Sequence, residues 1–274
     1  MIIYTCPVCK KPLQKIDTTF KCTNNHSFDI AKEGYVNLMP IKSKKTKDPG
    51  DNRKMLLSRR EFLESGYYKR LALNLSDKIN SILENITGAN ILDLGCGEGY
   101  YAGIIDKNIV NKHNTIYGVD ISKIAVKYGS KRYKNIQFCT ASAFELPIAD
   151  NSIDLLYRVY APSSLTELNR VIKKGGYLIT VTPGERHLYQ LREIIYKEVL
   201  NLSNKSDESE NFEKISSDNL TYTMKITEKN IVRNLLDMTP FGWKISEDAL
   251  EFMLSKSTWE IESDFKIDIY KKVT

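Results

Sequence analysis

From Leu71 to Leu83 apolar residues return every three or four positions, the spacing of a helix that buries one face. The pattern then changes. Asn90-Ile91-Leu92-Asp93-Leu94 is a short apolar run that passes straight into Gly95-Cys96-Gly97-Glu98-Gly99, and a helical stretch follows. Thr115–Asp120 predicts a second strand, 122–132 a helix, 136–140 and 153–159 further strands, 164–172 a helix and 176–182 a strand. That alternation predicts a doubly wound α/β domain with a parallel sheet. Tyr222–Ile226 and Phe265–Tyr270 are expected to add edge strands around a helix at 229–237, and the acidic, serine-rich 203–213 reads as a mobile loop.

Upstream, residues 52–65 predict a helix with Met55, Leu56, Phe62 and Leu63 on its apolar stripe. Asp51, ending the turn Asp48-Pro49-Gly50-Asp51, is the expected N-cap, and Gly66 the C′ residue. Charge adds information once it is placed. Residues 1–60 hold 13 Lys and Arg against 5 Asp and Glu, a net of +8, while the other 214 hold 27 against 29, a net of −2. The excess includes Lys42, Lys44, Lys45, Lys47, Arg53, Lys54, Arg59 and Arg60. An asymmetry of this kind fits a polyanion partner at one end of the molecule, or else a solvated lysine-rich face. Tyr35, Tyr67 and Tyr68 lie among these cations, where aromatic rings suit stacking on a base or cofactor, or ordinary packing. With 274 residues, 42% hydrophobic and 27% charged, the length predicts about two domains. Collagenous and wholly disordered classes are excluded. No run of about 18 apolar residues predicts a membrane span, and the start carries no signal-peptide pattern, so a soluble cytosolic protein without a membrane partner is expected.

Three of the five cysteines fall in the first 22 residues. Cys6-Pro7-Val8-Cys9 is a C-x2-C turn, and after twelve residues Cys22-Thr23-Asn24-Asn25-His26 is a C-x3-H pair. Three thiolates and one imidazole fill a tetrahedral zinc shell and leave no position for an activated water, so the predicted zinc is structural. Its binding would supply the folding energy of a segment too short to bury a core. Cys96 and Cys139 read as small buried residues.

The glycine loop has the form D-x-G-x-G-x-G, with Asp93, Gly95, Gly97 and Gly99. Glycines let the backbone turn sharply and approach a ligand, but this spacing leaves no pyrophosphate cradle. Asp93 can hold an ammonium group, and Asp120, closing the next strand, can accept both hydroxyls of a ribose. Thr140-Ala141-Ser142-Ala143 closes the third strand, where the backbone and the Ser142 hydroxyl can meet an adenine edge. Cationic, ribose-bearing and free of phosphate, the ligand that fits is S-adenosylmethionine.

At this point the chain resembles the bacterial 23S rRNA (guanine-N1)-methyltransferases that carry an amino-terminal zinc ribbon. The resemblance runs through Cys6-Pro7-Val8-Cys9, Ala31-Lys32-Glu33-Gly34-Tyr35-Val36-Asn37-Leu38, Asp48-Pro49-Gly50-Asp51 and Leu92–Tyr101. It continues through Tyr160-Ala161-Pro162, Thr182-Pro183-Gly184-Glu185-Arg186-His187 and Met238-Thr239-Pro240-Phe241. It implies a Rossmann-like class I methyltransferase sheet preceded by a small zinc ribbon. It implies transfer of a methyl group from S-adenosylmethionine to N1 of one guanine in a 23S rRNA hairpin. It also implies zinc on Cys6, Cys9, Cys22 and His26, cofactor contacts at Tyr68, Gly97, Glu98 and His187, and a homodimer with a basic cleft. One branch of the family is linked to macrolide resistance. Tyr160-Ala161-Pro162 stands where many base methyltransferases have Asn/Asp-Pro-Pro-Tyr, so their amino-group mechanism is not carried over.

The expected division is a ribbon at 1–40, a basic linker and helix at 41–70 and the methyltransferase domain at 71–274. Guanine N1 keeps its proton near neutral pH, so a carboxylate or imidazole must accept it, and the sequence does not single one out. His187 reads either as a cofactor or base contact or as the first turn of a solvated helix. His113 reads as a surface residue and Asp154 as a turn residue. Two other functions compete: a small-molecule C- or O-methyltransferase, which generally lacks a ribbon and basic arm, and a non-catalytic RNA-binding protein with a S-adenosylmethionine pocket.

Overall fold

The computed structural model describes residues 3–40, 52–196, 207 and 209–274. Lys42, Lys44, Lys45 and Lys47, the turn Asp48–Asp51, and 203–206 and 208 of the expected loop lie outside the described residues.

Strands β1 (Gln14–Ile16), β2 (Thr19–Lys21) and β3 (Ser27–Asp29) form a small antiparallel sheet. Strand β4 (Val36–Asn37) does not join it but pairs in parallel with Cys139 and Thr140. Helix α1 (Arg53–Glu64) is capped by Asn52, whose side chain accepts from Met55 N at 3.0 Å. The cap is thus one residue later than Asp51, with the three-residue reach that an N-cap oxygen needs. Helix α2 (Lys69–Ile82) buries Leu71, Leu75 and Ile79, four residues apart on one stripe.

The alternating region follows: β5 (Asn90–Leu94), α3 (Tyr100–Asn108), β6 (Thr115–Asp120), α4 (Lys123–Arg132), β7 (Gln137–Thr140), β8 (Ile153–Val159), α5 (Leu165–Val171), β9 (Ile172–Pro183) and α6 (Tyr189–Ile195). Then come β10 (Phe212–Ile226), α7 (Lys229–Asp237), a 3-10 turn at Pro240–Trp243, α8 (Glu247–Ser255) and β11 (Trp259–Lys272). The large sheet has the order β10-β11-β9-β8-β5-β6-β7-β4. β11 runs antiparallel to both neighbours, and the other pairings are parallel. The chain reverses direction across the sheet at β5, which lies between β6 and β8, and such a switch point opens a crevice at the carboxyl ends of the strands.

Of the two carboxy-terminal strands expected at the edge only β10 lies there, β11 being paired on both sides, and both are longer than their apolar patterns suggest. β10 starts at Phe212 rather than Tyr222 because its exposed face is polar, and β11 starts at Trp259 rather than Phe265. The described part of the acidic stretch is also ordered. Asp207 accepts from Thr180 Oγ1 at 2.9 Å and pairs with Arg158, and Phe212 opens β10.

Apolar cores cover both faces of the sheet. One joins Phe62, Leu71 and Leu75 to Ile91, Tyr157 and Phe265. Tyr35 is buried within it, the packing alternative of the two that the sequence left open. The other core joins Ile3, Tyr4, Leu13 and Phe20 of the amino-terminal segment to Leu92, Tyr117 and Val119. Burial of each such side chain contributes about 1.5–3 kcal/mol, and the small sheet is held to the large one by that shared core. Among the described residues no helix is long and apolar enough to cross a membrane.

Candidate functional site

Two turns bring Cys6, Cys9, Cys22 and His26 together, with one ligand atom from each inside a 4.8 Å group. Cys6 Sγ lies 3.5 Å and Cys22 Sγ 3.4 Å from His26 Nδ1, and Cys9 Sγ is 3.6 Å from Cys22 Sγ. A tetrahedron built on Zn–S bonds of about 2.3 Å and Zn–N bonds of about 2.0 Å has edges of roughly 3.5–3.8 Å. The three separations above match those edges to within about 0.2 Å, and the Cys3His donor set fits a structural zinc. The two other thiols, Cys96 and Cys139, are buried apart from this group.

At the carboxyl ends of the parallel strands lies a cavity of about 840 Å³, within the range of small-molecule sites. Its floor is the turn from β5 into α3, where Gly95, Gly97 and Gly99 have φ of 75°, 55° and 76°. A side chain is disfavoured in that region. Asp93 is buried below the loop, and burial pushes its carboxyl up to about 7, aided by the Asp120 charge and opposed by Tyr157 and the Ala102 backbone. Asp120 is fixed at the end of β6: one oxygen accepts from Gly97 N at 2.8 Å and the other from Ser122 N at 2.7 Å. Ser142 lies beyond the end of β7, where its hydroxyl accepts from Phe144 N at 3.2 Å. Glu98 accepts from Arg60 Nε at 2.5 Å through one oxygen. Its other oxygen and Asp93 Oδ2 are buried without a hydrogen-bond partner among the described residues. Two orphaned carboxylate oxygens in an apolar-lined cavity suit a cationic, hydroxyl-bearing ligand, and S-adenosylmethionine has that chemistry.

The opposite wall is made where β11 reaches back to the end of β9, with Phe265 opposite Pro183. His187 is buried there at 7% exposure, not solvated. Its Nδ1 accepts the Asp264 backbone N–H at 3.2 Å, and its Nε2 lies 3.3 Å from the hydroxyls of both Tyr68 and Tyr160. Because a backbone N–H can only donate, the ring proton sits on Nε2. Burial lowers the imidazole to about 4 against the charge of Asp264, so the ring is neutral. The Tyr68 hydroxyl is pushed far up by burial. Tyr160 holds a left-handed φ of 57° at the cavity wall, a strain found more often at functional sites than elsewhere.

Residues 4–47 match the family described as "RlmA, N-terminal", and residues 86–253, more than half of the chain, match that described as "Methyltransferase domain". The chain belongs to the methyltransferase-domain family. Its ribbon is of the RlmA type. A Streptomyces fradiae protein named "23S rRNA (guanine(748)-N(1))-methyltransferase" is 27% identical over 259 residues, covering 89% of this chain and 87% of its own. A Bacillus subtilis (strain 168) protein, whose name assigns it provisionally to the 23S rRNA guanine-N1 activity, is 25% identical over 280 residues and covers 98% of this chain and 97% of its own. Among solved structures, the YcgJ protein of Bacillus subtilis superposes with a TM-score of 0.49 at 18% identity, over 75% of this chain and 99% of that one.

In this methyltransferase Tyr68, Asp93, Gly95, Gly97, Glu98, Asp120, Ser142 and His187 all line the cavity, while Gly99 is the N-cap of α3 and is not part of the lining. Asp154 is elsewhere, at the start of β8, where it accepts from Asn90 N at 2.9 Å and Lys173 Nζ at 2.7 Å. His113 is exposed. Arg59 and Arg60, expected as phosphate contacts, turn inward: Arg59 donates to the Met238 carbonyl at 3.0 Å and Arg60 pairs with Glu98. Sequence reasoning missed Arg60 as a cavity residue, and missed Tyr160, Phe265 and Asp264 as the setting of His187. The short spacing from Asp93 to Asp120 is readable as one turn of the fold, whereas Asp264 is 77 residues from His187 and carries no local signal.

Proposed function

We propose that this protein transfers a methyl group from S-adenosylmethionine to N1 of a guanine in a hairpin of 23S rRNA. The observation that carries this reading is the union, in one chain, of a Cys3His ribbon and a cavity with two buried carboxylate oxygens that have no partner among the described residues. The guanine-N1 names of relatives aligned along most of the chain support it. Residues 1–40 are the ribbon, 41–70 the basic linker and helix, and 71–274 the catalytic domain. A cytosolic homodimer is part of the same reading.

When bound, the cofactor supplies a sulfonium methyl group, an electrophile. Asp93 is suited to its ammonium, the backbone of Gly95, Gly97 and Gly99 to close approach, Asp120 to the ribose hydroxyls and Ser142 to the adenine edge. Tyr68, Glu98 and His187 complete the enclosure. The chain's own task is alignment and proton handling, since in-line attack requires the acceptor nitrogen within about 3–3.5 Å of the methyl carbon. A stacked or paired guanine cannot reach that point, so the base must be splayed out of the hairpin, and the cationic amino-terminal part is suited to gripping the phosphates meanwhile. The N1 proton must leave to the protein. His187 is a donor at Nε2 with Nδ1 already occupied, which directs the search for the acceptor to the carboxylates of the cavity.

The test is to incubate protein-free 23S rRNA with purified protein and labelled S-adenosylmethionine, digest to nucleosides and separate them by mass spectrometry. Label in 1-methylguanosine is expected. Label in another nucleoside, or only in small metabolites of a cell extract, contradicts the reading.

A further inference from the structure

Between β7 and β8 the chain passes through Ala141, Ser142, Ala143 and Phe144, which form one wall of the large cavity. Ala141 N donates to the Asp120 carbonyl at 3.0 Å, so this wall and the ribose-side acid are one unit. Both ends of the segment are held by the zinc ribbon. At its start, β4 pairs Val36 and Asn37 with Cys139 and Thr140, and Leu38 N donates to the Thr140 carbonyl at 2.9 Å. At its end, Thr5 N donates to the Pro147 carbonyl at 2.9 Å and Ala149 N to the Ile3 carbonyl at 2.8 Å. In the middle, Lys10 pairs with Glu145 at 2.6 Å, a contact exposed enough to be weak.

These contacts are tied to the metal ligands. Thr5 and Lys10 adjoin Cys6 and Cys9, and the knuckle is closed by Lys10 N donating to the Cys6 carbonyl at 2.8 Å. Tyr4 joins the two sides. Its ring meets Phe20 of the ribbon and Tyr117 of β6 edge-on, at 5.6 and 5.8 Å, and its hydroxyl donates to the Gln137 carbonyl at 3.2 Å. The catalytic domain holds the start of the segment through β6, and the later part through α5: Glu167 accepts from Leu146 N at 2.6 Å, and Arg170 donates to the Leu146 and Ile148 carbonyls at 2.8 and 2.6 Å. Residues 141–144 have no such support from α5.

We propose that the zinc ribbon holds the 141–144 wall of the methyl-donor site, so that zinc binding and S-adenosylmethionine binding are thermodynamically linked in the absence of RNA, with Tyr4 as the positioning residue between them. This rests on the reading of the cavity as the S-adenosylmethionine site. Linkage is reciprocal: whatever factor zinc adds to cofactor affinity, the cofactor must add to zinc affinity.

The experiment uses the full chain without RNA. Calorimetric titration with S-adenosylmethionine is made on zinc-loaded wild type, on chelator-stripped protein, and on zinc-loaded Tyr4→Leu and Tyr4→Phe. Zinc affinity is measured in the wild type by competition against a chelator of known affinity, with and without saturating S-adenosylmethionine. We expect stripping and Tyr4→Leu each to weaken cofactor binding about fivefold or more, and the cofactor to tighten zinc by a matching factor. Tyr4→Phe, which keeps both ring contacts, is expected to retain most of the affinity. If stripping unfolds the chain, the zinc competition decides. A zinc affinity indifferent to S-adenosylmethionine, together with an unchanged Tyr4→Leu, overturns the linkage alone. A zinc-loaded wild type that does not bind S-adenosylmethionine overturns the cofactor reading and the linkage with it.

Discussion

His187 Nδ1 accepts the backbone N–H of Asp264 at 3.2 Å, and this one contact decides what the imidazole can do. The ring is left with its proton on Nε2, facing the hydroxyls of Tyr68 and Tyr160. It can donate a hydrogen bond into the cavity but has no lone pair with which to take a proton from a base. The Asp264 side chain reinforces the arrangement by accepting from Arg186 N at 3.0 Å and Thr221 Oγ1 at 3.0 Å, which fixes the turn that carries His187.

Nitrogen-15 spectra of the imidazoles test this. With three histidines in the chain, His187→Gln assigns the signals. We expect the neutral Nε2–H form from pH 5 to 8, because burial holds the group down to about 4. Between that value and the ordinary 6.5 the unfolded chain binds the proton first, so His187 lowers stability as pH falls through this window. A His187 that titrates near 6.5 contradicts the geometry.

Asp93 has the opposite sign. Its carboxyl is pushed up to about 7, so below that pH it is protonated and offers a cation little attraction. Affinity for S-adenosylmethionine is expected to rise with pH up to about 7 and then level off. Asp93→Asn should bind weakly, by about tenfold or more, and without that rise, since about 1.4 kcal/mol corresponds to a factor of ten. Calorimetry across pH 5.5–8.5 measures it. A flat wild-type profile would sink the assignment of Asp93 to the ammonium.

Arg60 reaches from α1 to Glu98 in the glycine loop, and their side chains are 29% and 11% exposed. Arg60→Met leaves the Glu98 charge poorly solvated. Breaking a fully buried pair costs about 3–5 kcal/mol, and partial exposure of the arginine reduces this to roughly 1–3 kcal/mol. We expect a fall in Tm of several degrees and weaker cofactor binding. A variant with wild-type Tm and affinity would show that the pair is incidental.

At Gly95 two constraints coincide. Its φ is 75°, and a Cβ there would overlap the Ala161 methyl. A left-handed alanine costs about 1–2 kcal/mol and overpacking about 1–3 kcal/mol. Gly95→Ala is therefore expected to lower Tm and displace Tyr160-Ala161-Pro162 from the cavity wall, and both thermal melts and S-adenosylmethionine titration read it.

How much of this was legible in the sequence depended on locality. β5, β6 and β8 are short apolar runs buried on both faces, and their bounds agree with the sequence reading. The Cys3His spacing is a local arithmetic of two turns and gave the metal group directly. β10 was half hidden because Ser216-Ser217-Asp218-Asn219 is a polar stretch in an edge strand paired on one side only. α8 was not foreseen, since only Met253 among its residues is buried. The two-residue β4, which ties the ribbon to the large sheet, is too short for any periodicity. His187 sits in a polar run, Gly184-Glu185-Arg186-His187, and its burial comes from Phe265 and Tyr68, far away in the chain.

Primer extension along 23S rRNA tests the central assignment most directly. A methyl group on N1 blocks Watson–Crick pairing, so reverse transcriptase should halt one nucleotide short of a single guanine in RNA from cells that contain the protein. The halt should be absent from cells that lack it or that carry only Asp93→Asn. An identical pattern of extension in all three would contradict the account.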